Sequence, residues 1–184
     1  MTDVLIKEAA GAADFAAAKS LTLAYFDALR ARAPEARKMV DDHMTSHDVE
    51  AELDDLSAHF TPPHGACLLA RRPDVAVGVV MLSRQTEETC EMNRMFVSDT
   101  ARGTGLGRAL CDAIIAKARA MGFGQMILDT MHFLTEAISL YRSVGFQTYG
   151  GAEAYAADDP RILHMRLALP QGASDHLAHG SQIK

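Results

Sequence analysis

Apolar positions follow two rhythms along this chain, one of period two and one near 3.6, and the switches between them mark out its elements. Residues 4–9 (VLIKEA) read as a short strand ended by Ala10-Gly11. Asp14 is the expected N-cap of a helix reaching to about Arg32, with Phe15, Ala18, Leu21, Thr22, Tyr25, Phe26 and Leu29 on one face. Pro34 ends or restarts it, and residues 35–47 are polar around Met39, Val40 and Met44. Ser46 and Asp48 offer caps for a second helix carrying Val49, Leu53, Leu56 and Phe60. Its acids Glu50, Glu52, Asp54 and Asp55 make a solvated face, with one or two available to a cationic ligand. After a turn at residues 61–65 (TPPHG), residues 66–70 and 75–82 form a hairpin of two strands apolar on both faces, which suits the centre of a sheet covered by helices.

The next strand, residues 89–97 (TCEMNRMFV), changes phase. Its apolar residues fall at Cys90 and Met92 and then at Met95 and Val97; one extra residue in a bulge produces that offset, because a shift of one sends side chains to the opposite face. Arg102-Gly103-Thr104-Gly105-Leu106-Gly107-Arg108 follows, and from Leu106 the positions Ala109, Leu110, Ala113, Ile114, Ala118 and Met121 recur at helical spacing up to a stop at Gly122. Residues 124–130 read as a buried strand, 131–135 as a crossing loop, and 136–144 as a helix closed by Gly145. Residues 146–149 and 161–169 are expected to pair as antiparallel strands. The pattern predicts one α/β domain over residues 1–169, a mixed and mostly antiparallel twisted sheet flanked by helices, with residues 170–184 as a flexible tail.

A chain of 184 residues, 48% hydrophobic and 23% charged, is long enough to bury a full core. Its net charge of −6 argues against general attraction to nucleic acid or an anionic membrane, so any anion site must be local. Three cysteines, Cys67, Cys90 and Cys111, sit in apolar runs and read as reduced core thiols rather than a disulfide framework or zinc site. His43 and His47 stand at i, i+4 beside Asp41 and Asp42, yet neither a HExxH motif nor a cysteine partner accompanies them, and no metal is expected. The N-terminus has no cationic segment followed by an apolar one, and no run approaches a membrane span, so the expectation is a cytoplasmic enzyme.

Three glycines and two arginines at a helix start make an anion cradle, since the first backbone N–H groups there lack intrahelical partners and the helix dipole favours negative charge. No Gly-Lys-Ser/Thr follows, which excludes a Walker A loop, and the third glycine of the dinucleotide fingerprint is missing. What remains, Arg-x-x-Gly-x-Gly at Arg102, Gly105 and Gly107, resembles the acetyl-CoA pyrophosphate loop of the GNAT superfamily of N-acetyltransferases. Residues 92–97 (MNRMFV) resemble the family's fourth strand, residues 125–130 (QMILDT) its fifth, and residues 137–146 (AISLYRSVGF) its AxxLYxxxGF segment. The resemblance covers about residues 66–147 in the family's order and spacing.

That resemblance implies a GNAT fold whose bulged central strand opens a V-shaped acetyl-CoA cleft, and direct acetyl transfer to a primary amine of a small molecule in a ternary complex. Acetylation of a protein N-terminus or lysine, or acyl-CoA sensing without turnover, are the alternatives. Backbone groups of Gly103, Thr104, Gly105, Leu106 and Gly107, with Arg102 and Arg108, would hold the pyrophosphate, and main-chain groups of Met95, Phe96 and Val97 would pair with pantetheine. Many members place a pantetheine-contacting asparagine where this chain has Leu134, so pantetheine would depend more on backbone here, or Thr130 or Thr135 would substitute. Tyr141 matches the family's general acid. Glu91, an acid in an otherwise buried strand, is the candidate general base, direct or through water, with burial raising its pKa; the alternative is an ion pair with Arg94 across the bulge. His132 and His164 are weaker base candidates. For the acceptor, Tyr25 and Phe26 would wall the cleft on one side, Tyr149 and Tyr155 on the other, with Glu153, Asp158 and Asp159 attracting a cationic amine. A homodimer is left open.

Overall fold

The computed structural model describes residues 4–32, 34–46, 49–73, 75–150 and 161–170. Strand β1 (Leu5–Glu8) leads into helix α1 (Gly11–Arg30). The helix starts before Asp14, with Ala10 at the cap position, and Asp14 in the first turn reaches back to accept the Ala10 N–H at 3.1 Å. Lys7 and Arg71 both ion-pair with the same carboxylate at 3.2 Å, so neighbouring strands set its place as much as the helix does. The polar stretch after Pro34 is a helix too, α2 (Pro34–Ser46). The expected second helix is broken into α3 (Val49–Asp54) and α4 (Leu56–His59). Asp55 leaves the helical region at φ −133° and caps α4 by accepting the Ala58 N–H at 3.2 Å. The helical spacing of Val49, Leu53, Leu56 and Phe60 runs through the break with all four buried, which is why periodicity did not reveal it.

There follow β2 (Gly65–Arg72), β3 (Val75–Arg84), β4 (Thr89–Val97), a single 3₁₀ turn (Asp99–Ala101), α5 (Leu106–Ala120), β5 (Gln125–Met131), α6 (Thr135–Ser143), β6 (Gln147–Thr148) and β7 (Ile162–Ala168). The strands form one sheet in the order β1-β2-β3-β4-β5-β7-β6, antiparallel except where β4 meets β5. Each face carries its own core. Leu110, Ile114, Phe123 and Phe146 pack against one face, and Phe26, Leu29, Leu53 and Phe60 against the other. As their two-sided apolar runs require, β2 and β3 send Leu68 and Val80 into the first core and Leu69 and Val79 into the second. Cys67, Cys90 and Cys111 are buried and unbridged, and burial pushes each thiol up to about 12.

The predicted bulge lies in β4. Pairing with β3 runs Ser83↔Glu91, Leu82↔Met92 and Met81↔Asn93, then resumes at Val79↔Phe96, leaving Arg94 and Met95 opposite Val80 alone. Arg94 takes φ +52°, the left-handed conformation of the extra residue. The offset keeps Cys90, Met92, Met95 and Val97 with the α5 core and turns Phe96 into the α1 core. Beyond the pairs Thr89↔Gln125, Cys90↔Met126 and Glu91↔Ile127, β4 and β5 part company. The joint is therefore a V, closed at Glu91 and open towards Val97 and Met131.

Candidate active site

The glycine loop stands beyond the open end of the V. Gly103 and Gly105 take φ +73° and +82°, a region that costs a side-chain-bearing residue about 1–2 kcal/mol. Gly105 is the N-cap of α5, so the helix's first N–H groups point out of a turn that only glycine makes cheaply. The Thr104 hydroxyl braces the turn by donating to the Ala101 carbonyl at 2.7 Å. Both arginines flank it half-exposed. Arg102 pairs with Asp99 at 2.7 Å and donates from Nε to the Val97 carbonyl at 3.3 Å, while Arg108 pairs with Asp112 at 2.9 Å.

Within the V lies a cavity of about 70 Å³, lined by Tyr25, Met92, Arg94, Met95, Leu128, Asp129, Thr130, Leu134, Ala137 and Tyr141. It shares Tyr25, Met92, Arg94, Asp129 and Thr130 with a cleft of about 1010 Å³ on the α1 side of the sheet. That cleft is walled by Tyr25, Phe26 and Leu29 of α1, Met39, Val40 and Asp42 of α2, and residues 58–60 around α4. Its floor is Glu91 to Arg94 of β4 with Ile127 and Asp129 of β5.

Glu91 sits where the two strands separate. Burial is the main cause pushing its carboxyl up to about 7; the negative charges of Asp129 and Glu52 add to this and Arg94 partly offsets it. Gln85 Nε2 donates to Glu91 Oε2 at 2.8 Å. The alternative reading, an ion pair of Glu91 with Arg94, is not what forms. Arg94 instead bonds Glu52 of α3 at 2.6 Å, with its guanidinium 5.6 Å from the Phe60 ring centre and 6.0 Å from that of Phe26. Tyr141, on α6, is buried with its ring edge-on to Phe146 at 6.0 Å, and desolvation raises its phenol pKa, so the hydroxyl stays protonated.

Comparison with known proteins adds a family to this geometry. Residues 27–146 match the Acetyltransferase (GNAT) family, a span that holds the bulge, the glycine loop and α6. The chain belongs to the GNAT family of acetyltransferases. An uncharacterized N-acetyltransferase of Schizosaccharomyces pombe is 35% identical over 129 residues, 68% of this chain and 77% of that protein. The crystal structure of an acetyltransferase from Streptococcus agalactiae shares the fold with a TM-score of 0.69 at 22% identity, covering 92% of this chain and all of that one. A PaiA N-acetyltransferase from Thermoplasma acidophilum, solved in complex with coenzyme A, superposes with a TM-score of 0.67 at 12% identity over 90% of this chain and 99% of that one. This GNAT protein is accordingly an acetyl-CoA-dependent acyltransferase.

The fold brings several of the expected site residues to one joint, with the glycine loop beyond its open end. Glu91, Tyr141, Thr130, Met95 and Tyr25 line the two adjoining cavities, and Phe26 forms part of the larger one's wall. β4 has no β5 partner from Met92 onward among the described residues, so the strand's main chain at Met95, Phe96 and Val97 faces the opening of the V. Leu134 is buried at the start of α6 and lines the small cavity. His132 is exposed, its Nδ1 3.2 Å from the Arg161 carbonyl; His164 lies buried, its Nδ1 2.6 Å from Asp129 Oδ1. Tyr149 rests against the His164 and Arg166 side chains. Glu153, Tyr155, Asp158, Asp159 and His47 lie outside the described residues, as does the side chain of His43. Among the described residues no cluster of metal-ligating side chains forms, and no helix is long and apolar enough to cross a membrane.

Sequence reasoning missed Asp129 and left Glu52 on a solvated face. Asp129 is a lone acid in an apolar strand, a signal of the kind that singled out Glu91, and it faces both cavities. Of the other helix acids, Asp54 pairs with Lys19 and Asp55 caps α4, while Glu50 is exposed, so the solvated reading fails only at Glu52.

Proposed function

We propose that the protein transfers the acetyl group of acetyl-CoA directly to a primary amine of a small molecule in a ternary complex. The observation that carries this reading is the pair of adjoining cavities at the V, a narrow one beside the free edge of β4 and a walled cleft with Glu91 on its floor, which meet at Tyr25, Met92, Arg94, Asp129 and Thr130. A donor enters from the glycine-loop side and an acceptor from the α1 side. The coenzyme A complex of the Thermoplasma neighbour supports this use of the fold.

The roles follow from the chemistry of aminolysis. The N–H groups at the start of α5, with Arg102 and Arg108, bind the pyrophosphate. The free edge of β4 at Met95, Phe96 and Val97 pairs with the pantetheine amides as an added strand does, and one N–H there polarises the thioester carbonyl. Thr130, on β5 across the V, takes the place of the usual asparagine. Glu91, whose carboxyl burial pushes up to about 7, accepts the proton of the attacking amine, directly or through water. Tyr141 donates its phenolic proton to the departing thiolate. Tyr25 and Phe26 hold the acceptor's apolar part. The apolar wall that α1 and α2 set over the α1-side cleft suits a small acceptor.

A panel of amines, amino acids and peptides assayed for release of free CoA tests this directly. Saturable turnover of a small amine is the expected result. Turnover confined to peptides or folded proteins would overturn it in favour of N-terminal or lysine acetylation.

A further inference from the structure

Arg94 is placed by a structural accident that the bulge creates. In an unbroken strand Glu91 and Arg94, three residues apart, would face opposite sides of the sheet; the extra residue brings both to the floor of the same cleft. The guanidinium is held rigidly. Glu52 takes Nη1 at 2.6 Å, Phe26 and Phe60 lie against it, and its side chain is only 10% exposed.

The remaining edge, Nε with Nη2, makes no bond to protein among the described residues. Arg72 Nε is the lone fully buried side-chain nitrogen or oxygen without a partner among the described residues, so the free edge of Arg94 is reached from the cleft it lines. The side-on fork of a guanidinium already fixed by Glu52 therefore opens into the cleft, and that fork matches the two oxygens of a carboxylate.

We infer that the acceptor is an amine that also bears a carboxylate, an amino acid in the broad sense, docked by its carboxylate on the Nε/Nη2 edge of Arg94 with its amine towards Glu91. This rests on the small-amine reading above and narrows it. The acids around the site set the other half of the specificity. Glu91 and Asp129 attract the ammonium end, and together with Glu52 they disfavour a phosphate, whose second negative charge would meet all three.

The experiment compares L-amino acids with their C-terminal amides as acceptors, by CoA release, in the wild-type protein and in Arg94→Met and Arg94→Lys. In the wild type, kcat/KM for the best free acid should exceed that for its amide by about 10- to 100-fold, the scale of a charge-assisted bidentate contact. In Arg94→Met that ratio should collapse towards one, mainly through KM of the acid, and Arg94→Lys should fall between, keeping the charge and losing the fork. Calorimetry should show that all three still bind CoA. Equal wild-type turnover of acid and amide would overturn the inference and leave the small-amine reading standing; so would a ratio that survives in Arg94→Met. Failure of every small amine, acid or amide, with CoA still bound would overturn both. If Arg94→Met does not fold, the wild-type ratio and Arg94→Lys still decide the matter.

Discussion

Replacing Glu91 by glutamine tests the site through two independent readouts. The folded carboxyl titrates at about 7 against an ordinary value of 4.5, chiefly because it is buried, with Asp129 adding to the shift. A raised folded pKa means that the folded protein holds this proton more tightly than the unfolded chain. The stability linked to it is fully present below about pH 4.5 and is lost as pH rises through about 7. At 1.36 kcal/mol per unit the difference amounts to about 3 kcal/mol, an upper figure because the side chain is not wholly buried. Glutamine cannot ionise. Urea unfolding should therefore show Glu91→Gln close to wild type at about pH 4 and more stable by up to about 3 kcal/mol at about pH 8.5. In activity, the acidic limb of the wild-type kcat/KM profile should have an apparent pKa near 7 and vanish in the variant, with the rate down about 10²- to 10⁴-fold if Glu91 is the sole base. A variant with the wild-type limb and rate would remove Glu91 from the chemistry. An equal stability difference at both pH values would show that its carboxyl is not perturbed at all.

Tyr141→Phe keeps the ring against Phe146, so thermal stability and CoA affinity should hold while kcat falls about 10²- to 10⁴-fold; full kcat with chemistry rate-limiting would make the residue packing only. Arg102→Ala should weaken CoA binding in calorimetry by about 1 kcal/mol, the low end for a charged contact because Arg102 is half-exposed and already paired with Asp99. Gly65→Ala probes the fold alone: its Cβ would run into the Leu82 carbonyl and stand 2.8 Å from that of His59. The variant should lose about 1–3 kcal/mol in denaturant unfolding without a change in CoA affinity, and unchanged stability would contradict the close approach of β2 to β3 and α4.

Local pattern carried the strands, the long helices, the bulge and the glycine loop, because each is written in residues close together in the chain. The change of phase between Met92 and Met95 named the bulge, and Arg102, Gly105 and Gly107 named the anion loop. The same pattern misplaced Asp14, whose position depends on Arg71, 57 residues away. It also ran α3 and α4 together, since an apolar stripe does not record a single non-helical residue at Asp55. The charges of the site were the least legible. Arg94 finds Glu52 across 42 residues, and Asp129 reaches Glu91 only because β4 and β5 lie side by side before they part. Which acid is neutralised and which is left perturbed is set by three-dimensional neighbours and by burial, and neither is a property of any stretch of sequence. The sequence by itself determined the family and the glycine loop at the start of α5; packing of α1 to α4 over the sheet decided the large cleft, because its walls come from segments that share no local pattern and meet only in the folded chain.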